Sequence, residues 1–157
     1  MNFIRLLLVV ALLAVSFQNF ARAADEADGV VPSLLLESAM ANDVVGIRMA
    51  IRQGTNIDVT NINGWSGAMF SVSSGNLPSL HALIDAGIDL NQANTDGKTP
   101  LMFAAAQGDK EIVDVLLSNN ADPSITTPEG ISAYEVAVES GRQLVREYVN
   151  RGYVVCL

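Results

Sequence analysis

One short pattern returns through this chain at an interval of 33 residues. Asn63-Gly64-Trp65 corresponds to Asp96-Gly97-Lys98 and then to Glu129-Gly130-Ile131. Residues that favour a left-handed backbone keep the same interval further along each copy: Asn42, Gly75, Gly108 and Gly141. A period of this length is typical of stacked supersecondary units, because a single unit cannot bury its apolar face alone.

The third copy of the pattern predicts a pair of helices. Thr99 followed by Pro100 is typical of a helix start, with a capping residue before a proline in the first helical position. Gly108 predicts the end of that helix, since a residue with positive φ is needed to turn the chain. Glu111 to Ser118 predicts a second helix with its apolar residues on one face. Asp96-Gly97 predicts a tight turn that projects between units.

Residues 97–105 read Gly-Lys-Thr-Pro-Leu-Met-Phe-Ala-Ala, and Gly108 follows them. With the 33-residue period, this stretch resembles a near-consensus copy of the ankyrin repeat. The resemblance covers about residues 28–152 and implies an all-α fold, an ankyrin-repeat solenoid of about four helix-turn-helix units joined by β-turn loops. The implied units are about 28–60, 61–93, 94–126 and 127–157. Ser66-Gly67-Ala68 replaces the family's Thr-Pro-Leu, so we expect the first helix of the second unit to start less firmly.

The first 23 residues have the pattern of an export signal. A short basic start precedes the apolar run from Leu6 to Phe17, and Ala21-Arg22-Ala23 is the small-x-small pattern that a signal peptidase cuts. We expect cleavage after Ala23 and an ankyrin-repeat domain at 24–157. A retained anchor is the alternative, but the run is shorter than the roughly 20 residues that a membrane span needs. The signal looks bacterial, so we expect a periplasmic protein.

The chain is acidic and has one cysteine. Removing residues 1–23 takes away Arg5 and Arg22 but no acid, so the formal net charge moves from −8 to −10. Such a surface repels nucleic acid and anionic lipid, so neither is expected as a partner. Cys156 has no second cysteine to pair with in the chain, and whether it pairs with another chain stays open.

The sequence offers no constellation for catalysis or for a bound cofactor. The single histidine, His81, aligns with Asp114 and is expected on the exposed side of a second helix. A triad needs a nucleophile, a base and an orienting acid, and zinc needs clustered ligands. A solvated His81 is therefore expected, with a haem or metal ligand as the alternative. We predict no enzyme, no metal and no cofactor.

Ankyrin proteins generally bind through the turn tips and the first helices, which form a concave surface. Carried over position by position, the resemblance implies the following partner-binding residues. The second unit supplies Ile62, Asn63, Trp65, Ser73 and Ser74. The third supplies Thr95, Asp96, Lys98, Ala106 and Gln107. The fourth supplies Pro128, Glu129, Ile131, Glu139 and Ser140.

Trp65 and Ile131 stand out among these residues, because Lys98 at the same repeat position shows that the fold does not demand an apolar side chain there. An exposed Trp65 is a candidate hot spot, and its removal should then change stability by less than about 0.5 kcal/mol. The alternative is that Trp65 lies flat over its own turn or a neighbouring one. A second stripe keeps the repeat period and is expected in the core rather than at a cofactor: Met69, Phe70, Met102 and Phe103.

The resemblance implies a non-catalytic protein–protein interaction module, which the export signal would place in the periplasm. Small exported bacterial ankyrin proteins similar to this one have been connected with periplasmic catalases, so support of such an enzyme in peroxide defence is one expectation. The alternatives are an immunity or inhibitor protein that blocks a toxin enzyme, and a haem or small-ligand carrier. We expect the partner to be another protein and the chain itself to be a monomer.

Overall fold

The computed structural model describes residues 33–140 together with Glu147 and Val149, which are helical. The predicted signal peptide, its cleavage after Ala23 and Cys156 lie outside the described residues. Within them the fold is all-α, in seven helices: α1 (Leu34–Met40), α2 (Val44–Arg52), α3 (Gly67–Ser73), α4 (Leu77–Asp85), α5 (Pro100–Gln107), α6 (Lys110–Ser118) and α7 (Ala133–Glu139). The predicted pairing of helices is confirmed, and the pairs α1–α2, α3–α4 and α5–α6 recur at the repeat period.

The first helices start on hydroxyl residues, as the sequence predicts, but the hydrogen bonding differs between units. Ser66 Oγ accepts from the Met69 N–H at 3.5 Å, whereas Thr99 makes no side-chain cap hydrogen bond. A capping hydroxyl would ordinarily accept a hydrogen bond from the Met102 N–H. This N–H donates instead to the Thr99 carbonyl oxygen at 3.1 Å. Thr99 is therefore the N-cap residue of α5, with Pro100 after it as predicted, but the Thr99 hydroxyl makes no capping hydrogen bond.

Helix α7 has the most complete start. Ser132 Oγ accepts from the Glu135 N–H at 3.4 Å, and Glu135 Oε2 accepts from the Ser132 N–H at 2.8 Å. This reciprocal pair is a capping box, and it satisfies two backbone donors at once. It uses a carboxylate at the position where the middle units bury Met69 and Met102, which suits a unit whose outer side meets water.

The first helices α1, α3 and α5 are followed, as the sequence predicts, by residues with left-handed backbone, whereas Gly141 lies outside the described residues. Gly108 has φ 76°, and Asn42 has φ 58° at the matching position of the first unit. The turns between units need the same conformation at Gly64 and Gly97, where φ is 73° and 75°. A side chain at Gly97 would also place its Cβ 2.6 Å from Pro128 Cδ in the next turn. Glycine is therefore required there by conformation and by space.

The first helices α1, α3, α5 and α7 pack one against the next, and α1, α3 and α5 each also pack on the second helix of the same unit. Buried aliphatic residues between these layers form one continuous core, which includes Ile47, Leu80, Val113 and Leu116. Val149 is fully buried at the fourth-unit position that matches Leu116. Burial in this fold therefore comes from stacking, which presents the first helices and the turn tips together on one side.

Candidate functional site

The turn tips of the second and third units are each folded around one asparagine side chain, which was not predicted from the sequence. Asn61 Oδ1 accepts from the N–H groups of Asn63 at 3.0 Å and Trp65 at 2.9 Å. In the next unit Asn94 Oδ1 accepts from Asp96 at 3.0 Å and Lys98 at 2.8 Å. The signal was present in the sequence as an Asn-x-x-Gly pattern at the repeat period. These amides fix the direction in which the tips project.

Successive tips are joined to one another directly. The N–H and the hydroxyl of Thr95 both donate to the Asn63 carbonyl oxygen, each at 3.1 Å. At the other end of the first helices, Gln107 Nε2 donates to the Ser73 carbonyl oxygen at 3.0 Å. These bonds bring together residues predicted from separate units and hold them in one surface.

Most of the predicted binding residues lie on this surface and are exposed. The exposed members are Ile62, Asn63, Ser73, Ser74, Thr95, Asp96, Lys98, Ala106, Gln107, Pro128, Glu129, Glu139 and Ser140. Trp65 and Ile131 are half-buried instead. We call the surface formed by all these residues, together with Phe70 and Phe103, the tip face.

Trp65 is not the freely exposed side chain that the sequence suggested. Its ring lies 5.2 Å from that of Phe70 on the first helix of its own unit, and 4.7 Å from that of Phe103 in the next unit. The two arrangements are tilted, by 38° and 44°, and fall within the distance range of favourable aromatic pairs. Trp65 therefore has a packing role, as the alternative interpretation held.

The predicted core stripe divides into two parts. Met69 and Met102 are buried, 0% and 2% exposed, and this part of the prediction is confirmed. Phe70 and Phe103 are half-buried and pack against the core from the side of the tip face. Their predicted packing against the core is therefore confirmed as well, and their rings also contact Trp65. We call Trp65, Phe70 and Phe103 the aromatic cluster.

Ile62 is the most exposed large apolar side chain of the described residues, with 81% of its surface accessible. It follows Asn61 at the tip of the second unit, three residues before Trp65. The matching positions hold Thr95, which bonds to the preceding tip, and Pro128, which lies against Gly97. An isoleucine does not stabilise such a turn, where Asn and Asp are favoured because they hydrogen-bond the local backbone and Pro because it fixes φ.

The polar residues of the tip face include one carboxyl with a lowered pKa. A hydrogen bond from the Thr127 hydroxyl lowers the pKa of the Glu129 carboxyl, helped by the backbone N–H of Glu129 and by the charge of Lys98. The same Thr127 oxygen accepts from the Ile131 N–H at 3.4 Å. Glu129 is therefore ionised at neutral pH and held in place at the fourth tip.

His81 and the possibility of a metal site or a membrane span were also considered from the sequence. His81 is exposed on the second helix α4, as expected. In the described part of the chain no three His, Cys, Asp or Glu residues are grouped as a metal site would require. None of the helices that could be searched there is both long and apolar enough to cross a membrane.

Comparison with known protein families agrees with the geometry of the helix pairs. A family model for ankyrin repeats, in three copies, matches residues 35–127, which is more than half of the chain. No curated protein matches the chain as a relative.

Proposed function

The chain belongs to the ankyrin repeat family, and from that premise we propose that it binds another protein through the tip face. Ankyrin repeats typically serve as protein–protein interaction modules without catalysis of their own. The tip face combines exposed polar groups on ordered turns with a half-buried aromatic cluster. Because the hydrogen bonds that Asn61 and Asn94 accept and that Thr95 donates order these turns, a partner would meet a surface that needs little rearrangement on binding.

The observation that carries the proposal is the exposure of Ile62, three residues before Trp65 in the same tip. Burying an aliphatic side chain of this size contributes roughly 1.5–3 kcal/mol, and the folded chain alone does not gain this free energy because Ile62 stays exposed to water. A partner that covers Ile62 would recover it. Polar residues around Ile62, such as Asn63 and Thr95, would form the rim that typically surrounds an apolar anchor.

A matched pair of variants tests this assignment. Ile62→Thr introduces the residue that the third unit already carries at this position, so the fold should tolerate it. Val45→Thr makes a similar change at a side chain that is 69% exposed on the second helix α2. We expect the partner recovered by crosslinking from the native envelope fraction to bind Ile62→Thr about tenfold more weakly, a loss typical of an interface anchor.

The same capture experiment includes Val45→Thr as a control that should not weaken binding. Val45→Thr should bind the partner as the wild type does, with both variants melting within a degree or two of it. Equal binding by all three proteins would remove Ile62 from the interface. Equal loss in both variants would indicate a general effect on the fold rather than a binding face.

We propose the periplasm as the site of action, supported by the signal-like residues 1–23. Fractionation of cells that express the tagged chain would test this, with the protein expected in the osmotic-shock fraction. Support of a periplasmic peroxide-degrading enzyme is the pathway we propose for it. Deletion of the gene should then lower catalase activity in that fraction, and unchanged activity would remove this role.

A further inference from the structure

Exposed carboxylates lie on the tips and first helices that form the tip face. Asp96 and Glu129 lie at the third and fourth tips, and Glu139 ends the first helix of the fourth unit. Glu37 takes the position in α1 that Phe70 and Phe103 hold in α3 and α5. All four side chains are exposed. The surface around the aromatic cluster is therefore negative.

Positive charge is scarce on this face. Among the described residues, Lys98 is its one lysine or arginine, and its charge already acts on Glu129. Arg48 and Arg52 lie on the second helix α2, and Lys110 begins the second helix α6. The second helices carry both signs of charge, because Asp85, Glu111 and Asp114 are also exposed on them, whereas the tip face has one cation among several acids.

Some carboxylates of the chain have roles in the fold, which those of Asp96 and Glu139 do not share. Asp43 and Asp109 cap the second helices α2 and α6. Asp58 Oδ1 accepts from the Asp89 N–H at 2.8 Å, and this bond joins two units. In the described part of the chain, no cap or turn uses the carboxylates of Asp96 and Glu139, so folding does not account for an acid at either position.

We propose that the partner presents lysine and arginine side chains around an apolar side chain to the tip face. This inference rests on the function proposed above and specifies its chemistry. The apolar side chain covers Ile62 and the edge of the aromatic cluster, while the cations face Asp96, Glu129 and Glu139. Complementary charges speed association and exclude acidic competitors.

Selection from a random peptide library displayed on phage, against the immobilised folded chain, tests this chemistry. We expect the selected peptides to carry lysine or arginine next to an aromatic or aliphatic residue. Their affinity for the wild type should fall as the salt concentration rises, because exposed charges are screened. Neutral or acidic selected peptides would overturn the proposal.

Two charge-reversal variants locate the effect. The face variant, Asp96→Lys with Glu139→Lys, should bind the selected peptides about tenfold more weakly, because like charges now meet. The back variant, Asp85→Lys with Asp114→Lys, changes the net charge equally on the exposed sides of α4 and α6. It should bind them within about twofold of the wild type. Equal losses in the two variants would overturn the proposal, since only net charge would then matter.

The outcomes also separate this inference from the function that it deepens. Peptides that lose affinity for Ile62→Thr but carry no basic residues would keep the binding face and remove the charge preference. Basic peptides that bind Ile62→Thr and the face variant as well as the wild type would overturn both. A selection that enriches no peptide on the wild type would count against both.

Discussion

The indole of Trp65 lies against the ring of Phe103 in the next unit, with the ring centroids 4.7 Å apart. The same indole contacts Phe70 of its own unit at 5.2 Å. One side chain on a turn therefore links the first helices of two units. The contact also places three aromatic rings at the centre of the face that we assign to the partner.

Replacing Trp65 by alanine should destabilise the fold by about 2 kcal/mol, because two aromatic contacts and part of a large buried surface are lost. Thermal or urea unfolding followed by circular dichroism measures this. Lys98→Ala changes the matching exposed position of the third unit and should stay within about 0.5 kcal/mol of the wild type. Similar values for the two variants would mean that Trp65 does not link the units.

Ser71 is fully buried on α3, and its hydroxyl has no hydrogen-bond partner. The matching positions in the next two units hold alanine, at 104 and 137. Ser71→Ala should therefore stabilise the protein by about 1 kcal/mol, since an unsatisfied buried hydroxyl is removed. Ser73→Ala on the exposed side of the same helix serves as the control. A destabilised Ser71→Ala protein would show that the hydroxyl is satisfied in solution.

Asn94 is 7% exposed and accepts two backbone hydrogen bonds that shape the third tip. Asn94→Ala leaves both donors without this partner and should cost about 1–3 kcal/mol. The amide exchange rates of Asp96 and Lys98 should rise in the variant. Asn63→Ala, at an exposed tip position, should change neither stability nor those rates appreciably. Slow exchange retained in Asn94→Ala would contradict the assigned role.

The two hydroxyl residues that begin α5 and α7 should respond differently to substitution. Ser132→Ala removes half of a capping box and should cost about 1 kcal/mol. Thr99→Val should cost less, because the Thr99 hydroxyl makes no cap bond. Unfolding midpoints of the two variants decide this. An equal or larger loss for Thr99→Val would mean that its hydroxyl supports α5 after all.

The Asp122 carboxyl should make stability depend on pH in the acid range. The Ser124 hydroxyl and N–H donate to Asp122 Oδ1 at 2.6 Å and 2.8 Å and lower its pKa below the usual 3.8. A lowered folded-state pKa stabilises the protein above the unfolded value, and this contribution is lost as the pH falls through the folded value. Ser124→Ala should raise the pKa of Asp122, as followed by NMR titration. An unchanged pKa would contradict the role of the hydroxyl.

The sequence predicted the backbone of this fold well, because its constraints are local. Gly108 and Gly97 require a left-handed conformation, and Asn42 was found at φ 58° where the period placed an equivalent of glycine. Asn is one of the few other residues that adopt this conformation readily. Helix bounds followed from these positions and from the capping residues, so the predicted second helix Glu111–Ser118 differs from the observed Lys110–Ser118 by one residue.

The site was less predictable, because the burial of Trp65 depends on which side chains meet it from two units. For Lys98, the positions that correspond to Phe70 and Phe103 are Phe103 and Val136. Comparison along the period suggested an exposed position for Trp65 because the matching residue is a charged lysine. The aromatic cluster exists because Phe70 and Phe103 occupy successive first helices. The 33-residue spacing of Phe70 and Phe103 alone could not show whether these residues are fully buried inside the stack or half-buried at its surface.

Site-specific photocrosslinking tests the central claim, that a protein partner covers the tip face, most directly. A benzophenone amino acid at position 62 reports on the tip of the second unit, and the same group at position 45 reports on helix α2. After irradiation of cells that express each protein, we predict a discrete adduct from position 62 and none from position 45. An adduct from position 45 alone, or equal labelling from both positions, would contradict the assignment of this face.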